Sequence, residues 1–447
     1  MSGMNYEQEN DDKREYRRKR RKKNQLIAYV CVLVALVLIG IGIFFAVSAV
    51  SSALEQRELE RKAEEQASLE VVTEMSEEET EFVPEETTTE EVVEYTNEEL
   101  LDEIVQTCIS EMPLEDRVAG LFLITPEALT GVDTVIKAGD GTKEALAKYA
   151  VGGLIYFKQN IKSKDQITEM LGNTVAMSKY PIFLAVDEEG GSVARVADAL
   201  NLEKVKDASV LGEALDEVAV KDSYAKIGAY LCEYGFNLDF APVADVLTNL
   251  DNESIAKRSF GSDAEVVAKM VSNAVTGLEE HGVTACLKHF PGQGGANADT
   301  HETLASSERT LEELRETELK PFVAGIEAGA QMIMVGHFTI PSITGEDTPA
   351  SLSKEIMTEL LRDEMGYEGV IITDALNMKA ITEKYASDEA CIAALEAGAD
   401  MLLMPEDFEL AYNGLLSAVQ EGKISEARIN DSLSKIYKIK YKNAIDN

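Results

Sequence analysis

The histidines of this sequence are the side chains best suited to acid–base chemistry. There are four, His281, His289, His301 and His337, and the last three lie in segments that follow short apolar runs. A histidine exchanges a proton near neutral pH, because its unperturbed pKa is about 6.5. It needs a carboxylate to fix its tautomer and stabilise the imidazolium, and Asp299 stands two residues before His301. The pattern favours a polar pocket; the alternative is that Asp299 and His301 only cap a polar loop.

Metal binding is the other chemistry that histidines and carboxylates suggest. The histidine spacings do not give the His-x-x-x-His pattern of a helical zinc site, and no paired cysteines accompany them. We therefore expect no metal ion and no other cofactor.

The candidate residues follow apolar runs that we interpret as buried β-strands. Amphipathic stretches such as Ala264–His281 separate the runs, and their apolar positions recur every three or four residues. Strands that are apolar throughout and alternate with helices form parallel sheets buried on both faces. Eight such units predict an α/β fold of the (β/α)8 TIM-like type, with a doubly wound open sheet as the alternative. The predicted strands are Ala119–Ile124, Gly153–Phe157, Ile182–Val186, Leu238–Val243, Thr284–Lys288, Met332–Val335, Val370–Thr373 and Met401–Met404.

In a barrel of this kind the functional side chains lie just after the strand ends, on one face. Asp187 follows the third predicted strand, and Lys288 and His289 stand at the end of the fifth. His337 follows the sixth strand and Asp374 the seventh. The sequence therefore predicts a polar pocket at the C-terminal face.

The first 97 residues have a different composition from the rest. Residues 1–25 are strongly basic, whereas residues 26–50 carry no charge and are long enough to cross a hydrocarbon core of about 30 Å. The positive-inside rule then predicts a cytoplasmic tail, a transmembrane helix and an external remainder. A cleaved signal peptide is the alternative, but its apolar core is usually shorter.

Charge and composition divide the remaining chain in two. Residues 51–97 are rich in Glu, Thr and Ser, which predicts an extended acidic stalk. Residues 98–447 then form the folded catalytic domain. The net charge of −39 argues against a nucleic-acid partner, because binding to phosphates needs a basic face. We expect a monomer.

The region from residue 98 to 440 resembles glycoside hydrolase family 3, and within it the β-N-acetylglucosaminidases of the NagZ type. The match is specific because the motifs occur in order along the whole region. They are MPLEDRVAGLFL at 112–123, VGGLIYFKQNI at 151–161, FLAVDEEGGSVARV at 183–196, FNLDFAPVADV at 236–246, RSFG at 258–261, KHFPGQGGANADTHETL at 288–304, GVIITDALNM at 369–378 and AGADMLLMP at 397–405.

The resemblance implies how the catalytic residues act. Asp374 matches the nucleophile, which forms a covalent glycosyl-enzyme, and Asp299 with His301 matches the general acid/base dyad of the loop after the fifth strand. The β-glucosidase branch takes its acid from a second domain, which we do not expect here. Gln293 departs from the family, which often has a second histidine there, so a titrating role at that position is in doubt.

The resemblance also implies a set of sugar-binding residues: Asp187, Arg195, Arg258, Lys288 and His289. Asp245 and His337 are expected behind them, in supporting positions. Two alternatives remain from the residues themselves. Lys288 and His289 are as typical of an internal ion-pair network as of a sugar-binding site. Arg195 or Arg258 is as well suited to form an ion pair that holds Asp374 in place.

Together these features predict a retaining exo-β-N-acetylglucosaminidase acting on peptidoglycan-derived glycans. We expect it in the bacterial cytoplasmic membrane, single-pass, with its N-terminus inside and its catalytic domain extracellular. The alternatives are a phosphorylase, in which phosphate takes the place of water, and a non-catalytic protein that binds cell-wall sugars.

Overall fold

The computed structural model describes residues 96–297, 304–345 and 348–445, and residues 93–447 form one compact unit. The predicted basic tail, the transmembrane helix at 26–50 and nearly all of the predicted stalk lie outside the described residues. Within these ranges, no helix combines the length and the apolar composition needed to span a bilayer.

The described residues contain twelve strands, eight of which form one parallel sheet. In chain order they are β1 Phe122–Ile124, β2 Gly153–Ile155, β3 Phe183–Val186, β4 Glu188–Gly190, β5 Val193–Ala194, β6 Leu238–Asp239, β7 Thr284–Phe290, β8 Ala305–Ser306, β9 Met332–Val335, β10 Phe338–Thr339, β11 Val370–Thr373 and β12 Leu402–Leu403. The large sheet has the order β11-β9-β7-β6-β3-β2-β1-β12. β4 and β5 form an antiparallel hairpin, and β8 and β10 form a short parallel pair.

The large sheet curls until its two edges meet. β1 pairs with both β2 and β12, and an isolated parallel bridge between Ile372 and Met401 joins β11 to the residue before β12. This confirms the predicted α/β barrel-like sheet, which is nearly closed and TIM-like. Each of the eight predicted strands is found.

Helices separate the strands and cover the outside of the sheet. The α-helices are Asn97–Glu111, Leu114–Ala119, Pro126–Thr130, Asp140–Lys148, Lys164–Met177, Arg195–Leu200, Ala208–Ala214, Glu217–Tyr234, Glu253–Ala256, Ala264–Glu279, Leu311–Glu316, Leu319–Glu327, Pro341–Thr344, Lys379–Thr382, Ser387–Ala397, Phe408–Gln420 and Glu426–Ile445. Short 3₁₀ turns occupy Lys158–Asn160, Gln293–Gly295 and Ala350–Leu352, and a π-helical segment occupies Glu355–Glu364.

The helix Ala264–Glu279 shows how sequence pattern becomes packing. The side chain of Asp263 accepts hydrogen bonds from the first-turn amides and so caps its N-terminus. Val267, Val271 and Leu278 recur along one face and are fully buried. Burial of each such side chain contributes roughly 1.5–3 kcal/mol to the free energy of unfolding.

Two predicted strand boundaries are wrong by three residues or more, and the others that differ are off by one or two residues. Ala119, the predicted start of the first strand, ends the helix Leu114–Ala119, and β1 begins only at Phe122. β6 stops at Asp239 rather than continuing to Val243. Pro242 lacks the amide hydrogen that a continuing ladder needs, which explains the shorter strand.

Candidate active site

One cavity lies at the C-terminal ends of the barrel strands. Its volume is about 370 Å³, within the range of small-molecule sites. Six of the residues predicted for the site line this single cavity: Asp187, Arg195, Arg258, Lys288, His289 and Asp374.

The β4–β5 hairpin supplies much of the polar wall. Side chains alternate between the two faces of a strand, so Asp187 and Glu189 both line the cavity whereas Glu188 does not. Gly190 and Gly191 have φ angles of 90° and 52° at the turn. A Cβ atom on Gly191 would lie 2.2 Å from Asp207 Oδ1, so only glycine fits there.

Lys288, on β7, is the centre of an ion-pair network. Its Nζ lies 2.7 Å from Asp187 Oδ1 and 2.7 Å from Glu189 Oε1. Arg258 donates two further hydrogen bonds of 2.8 Å to the Glu189 carboxylate. Burial alone would raise the pKa of Glu189, but Arg258 and Lys288 more than offset it and lower that pKa below its usual range. The network therefore holds a buried carboxylate ionised between two cations.

His289 is held by Asp245 from behind the cavity. The His289 Nδ1 lies 2.8 Å from Asp245 Oδ2, and Asp245 Oδ1 accepts the backbone amides of His289 and Gln293. The carboxylate fixes the imidazole so that Nε2 faces Arg258, 3.4 Å from its Nη2. Asp245 is fully buried and does not line the cavity.

His337 supports the segment that carries Asp374. Its Nε2 lies 3.0 Å from the carbonyl oxygen of Ala375, and its Nδ1 lies 2.6 Å from Ser351 Oγ. Because a carbonyl only accepts, the proton is on Nε2. Burial lowers the pKa of His337, so Nδ1 is the acceptor and the Ser351 hydroxyl donates. The ring thus orients the peptide directly after Asp374, whose Oδ1 accepts the Ala375 amide at 2.7 Å.

The rest of the cavity wall is largely apolar. It includes Ile155, Phe157, Phe240, Met334, Met378, Leu403 and Met404, and Asn377 is a further polar residue of the lining. Met404 has a φ of 46°, an uncommon conformation for a residue other than glycine. An apolar wall opposite charged groups suits a sugar, whose ring faces are apolar and whose edges carry hydroxyls.

Asp299 and His301 lie outside the described residues, so their placement stays a prediction. The described ends of their segment are held together. Asn297 and Ser306 exchange two hydrogen bonds of 3.0 Å, from the Asn297 amide to the Ser306 carbonyl and from the Ser306 amide to Asn297 Oδ1. β8, which contains Ser306, pairs with β10, which begins directly after His337.

Two features of the site differ from the sequence-based alternatives. Arg258 forms its ion pair with Glu189 and not with Asp374. Lys288 belongs to an internal ion-pair network and also lines the cavity, so the ion-pair interpretation and the sugar-binding interpretation of this residue are compatible. Glu189 was not predicted at all. Glu189 lies two residues after Asp187 on an extended segment, and residues two apart on a strand point to the same side. This spacing could have indicated that Glu189 also faces the cavity.

The described residues contain no group of three or more His, Cys, Asp or Glu side chains arranged to hold a metal ion.

Comparisons with known proteins agree with this architecture. Residues 114–439 match the sequence model of the glycosyl hydrolase family 3 N-terminal domain. The chain is 34% identical over 327 residues to β-hexosaminidase A of Pseudoalteromonas piscicida, which covers 67% of this chain and 54% of that protein. It is 34% identical over 284 residues to a β-hexosaminidase of Xanthomonas oryzae, covering 63% of this chain and 83% of the relative.

A solved structure is similar as well. A family 3 β-N-acetylglucosaminidase from Paenibacillus sp. superposes with a TM-score of 0.70 at 34% identity, covering 75% of this chain and 64% of that one. The chain therefore spans only part of the length of some of these relatives. The family model covers most of the chain and the resemblance inferred from the motifs is confirmed, so this protein belongs to glycosyl hydrolase family 3.

Proposed function

We propose that the protein is a retaining exo-β-N-acetylglucosaminidase that hydrolyses terminal β-linked N-acetylglucosamine. The observation that carries the proposal is that Asp374 and five candidate sugar-binding side chains line one cavity. Relatives named β-hexosaminidase and β-N-acetylglucosaminidase support the choice of sugar.

In this mechanism the Asp374 carboxylate attacks the anomeric carbon while His301, oriented by Asp299, gives its proton to the departing glycosidic oxygen. The result is a glycosyl ester on Asp374 and a free aglycone alcohol. The now neutral His301 takes a proton from water, and the resulting hydroxide displaces Asp374 from the same carbon. Two inversions give net retention.

The polar wall supplies complementary partners for the sugar. Lys288 has three N–H donors and uses two of them on Asp187 and Glu189, which leaves one for a hydroxyl. Asp187 accepts from sugar hydroxyls, and Arg195 and Arg258 donate to them. His289 lines the cavity with its Nε2 towards Arg258. In the proposed complex these contacts hold the ring with its anomeric carbon over Asp374, which would supply the orientation that the reaction needs.

The decisive experiment replaces Asp374 with Asn and follows release of nitrophenol from p-nitrophenyl β-N-acetylglucosaminide. We expect kcat to fall about 10³-fold or more, because no ester can form. Intact-mass analysis with a slow fluorinated glycoside should show an adduct on the unaltered protein and none on the variant. Asp165→Asn, on an exposed helix surface, is the matched control. Undiminished turnover by Asp374→Asn would contradict the proposal.

The acceptor and the natural glycan need separate measurements. Incubation with muropeptides in phosphate buffer should release free N-acetylglucosamine, identified by mass. Release of the sugar 1-phosphate instead would identify a phosphorylase. Absence of any turnover would favour a non-catalytic sugar-binding protein.

The proposed location is outside the bacterial cytoplasmic membrane, with residues 26–50 as the anchor and the substrate drawn from peptidoglycan. The uncharged run behind a basic cluster supports it. We expect the full chain in the carbonate-washed membrane fraction, cleavable by protease added to spheroplasts. Recovery in the soluble fraction would contradict the anchor.

A further inference from the structure

We infer that Glu188 is a positioning residue that holds Arg195 in the sugar cavity. Glu188 lies between Asp187 and Glu189, which both line the cavity, but its own side chain points to the opposite face of β4 and is fully buried. The inference rests on the proposed function, since it assumes that Arg195 binds the sugar.

The Glu188 carboxylate caps the helix that begins with Arg195. Its Oε2 accepts the amide of Val196 at 2.7 Å, and its Oε1 accepts the amide of Ala197 at 3.0 Å. The N-cap residue, Ala194, offers no side-chain hydrogen bond. Glu188 therefore satisfies two amides of the first turn that would otherwise be buried without a partner.

Two further contacts fix Glu188 itself. The Tyr230 hydroxyl, on the helix Glu217–Tyr234, donates to Glu188 Oε1 at 2.7 Å. The Glu188 backbone amide donates to Asp239 Oδ1, on the adjacent strand β6, at 2.8 Å. Burial raises the pKa of Glu188, and the hydrogen bonds from Tyr230, Ala197 and Val196 oppose that shift. The carboxylate thus ties the hairpin and two helices into one rigid unit.

Arg195 depends on this unit for its position. Arg195 is half-buried, and its buried Nε makes no hydrogen bond to any residue that the structure describes. Its backbone amide makes only a long contact of 3.4 Å to the Asp187 carbonyl. The backbone position of Arg195 is therefore set by the helix turn on which it stands, and the Glu188 carboxylate anchors that turn. Asp198, in the same short helix, is close enough to interact with the Arg195 charge.

The test is a double-variant cycle in which Glu188→Gln and Arg195→Met are measured alone and together. Val196 and Ala197 donate to different oxygens of Glu188, and glutamine replaces one of these with an NH2 group that cannot accept. We expect Glu188→Gln to raise KM for the nitrophenyl glycoside about 10-fold, with a smaller change in kcat. In the Arg195→Met background the same change should have no further effect on KM, because the residue it positions is gone.

A matched control separates positioning from general loss of stability. Glu279 is another largely buried carboxylate that accepts a backbone amide, that of Ala285 at 3.0 Å, at the opposite end of the barrel from the cavity. Glu279→Gln should lower Tm comparably and leave KM unchanged. If Glu188→Gln does not fold, Tyr230→Phe removes one of its three donors, and we then expect a rise in KM of about 2- to 3-fold, again abolished by Arg195→Met.

The inference would be overturned if the double variant raised KM by the product of the two single effects. It would also be overturned if Arg195→Met left KM unchanged. The Asp374→Asn measurement is independent of this cycle. A failure of the proposed hydrolysis and a failure of the positioning role would therefore be distinguished.

Discussion

Arg258 and Glu189 form a paired hydrogen bond, with Nε and Nη2 each 2.8 Å from one oxygen of the carboxylate. Paired contacts of this geometry are stronger and more directional than single ones. Lys288 adds a third contact at 2.7 Å to the same carboxylate, whose side chain is only 4% exposed. Arg258 and Lys288 are thus arranged around one buried anion.

Glu189→Gln should destabilise the protein and reduce activity together. It leaves the half-buried Arg258 and the buried Lys288 without their shared counter-charge. Removing one partner of a buried ion pair typically costs about 3–5 kcal/mol. We expect a clear drop in the chemical-denaturation midpoint and at least a 10-fold loss of kcat/KM. Glu409→Gln is the control, because Glu409 and its partner Lys148 are both exposed and such pairs contribute about 0–1 kcal/mol. Equal effects of the two changes would contradict this account.

His337→Ala should lower kcat more than it raises KM. The imidazole holds the Ala375 carbonyl, so its loss frees the peptide next to Asp374 while the sugar-binding side chains remain. A displacement of about 1 Å at a reacting group costs up to about 100-fold in rate. Ser351→Ala, which removes only the partner of His337 Nδ1, should give a smaller loss of the same kind. Steady-state kinetics would refute the prediction if KM alone changed.

Asp239→Asn should stabilise the protein at neutral pH. Burial raises the pKa of Asp239 well above its usual value, and its Oδ2 has no hydrogen-bond partner among the described residues. Because the pKa of Asp239 is raised in the folded protein, the contribution of this carboxyl group to stability is fully present below about pH 3.9. That contribution is lost as the pH rises through the pKa that Asp239 has in the folded state. The amide keeps an acceptor for the Glu188 N–H and cannot ionise.

We therefore expect Asp239→Asn to gain about 1–3 kcal/mol over the wild type at pH 7, with the gain shrinking as the pH falls towards 4. Urea titrations across that range provide the measurement. Asp251→Asn, on an exposed loop, should show no such trend. A variant less stable than the wild type at pH 7 would count against the prediction.

Lys440→Met should also stabilise the protein, with the opposite pH dependence. Lys440 is 7% exposed, its Nζ lacks a hydrogen-bond partner in the described part of the chain, and it lies over the rings of Phe183 and Tyr437 at 4.8 and 4.7 Å. Burial lowers the pKa of Lys440 to about 7. Between about pH 7 and 10.4 the unfolded chain holds a proton that the folded protein has released, so wild-type stability rises with pH.

The slope in that window approaches about 1.4 kcal/mol per pH unit, and Lys440→Met should remove it while raising stability most near pH 7. Lys438→Met, which breaks a partly exposed ion pair with Asp102, should leave the slope intact. Identical slopes for the wild type and Lys440→Met would refute the assignment.

The sequence predicts the barrel well because strands buried on both faces are apolar at most positions. Two predicted strand boundaries are wrong for local reasons. The apolar run of the first strand includes the end of the helix that stops at Ala119, and Pro242 shortens β6. The shared cavity of Lys288 and Asp374 follows from the rule that functional groups lie at strand ends.

Other parts of the site depend on contacts that no local pattern encodes. Three acidic residues stand in a row at 187–189, and only strand alternation separates the two that line the cavity from Glu188 behind it. Tyr230, the partner of Glu188, lies 42 residues further along the chain. Asp299 and His301 remain a sequence-based prediction.

The closure of the sheet has a consequence for biosynthesis. β1 and β12 are the first and the last of the described strands, and they pair with each other. During synthesis β1 therefore has no partner on that side until β12 has been made. A nascent chain that has emerged from the ribosome only as far as residue 400 has an open edge along β1 and lacks the Leu403 and Met404 side of the cavity. The cavity can therefore be completed only after residues 401–404 have been translated.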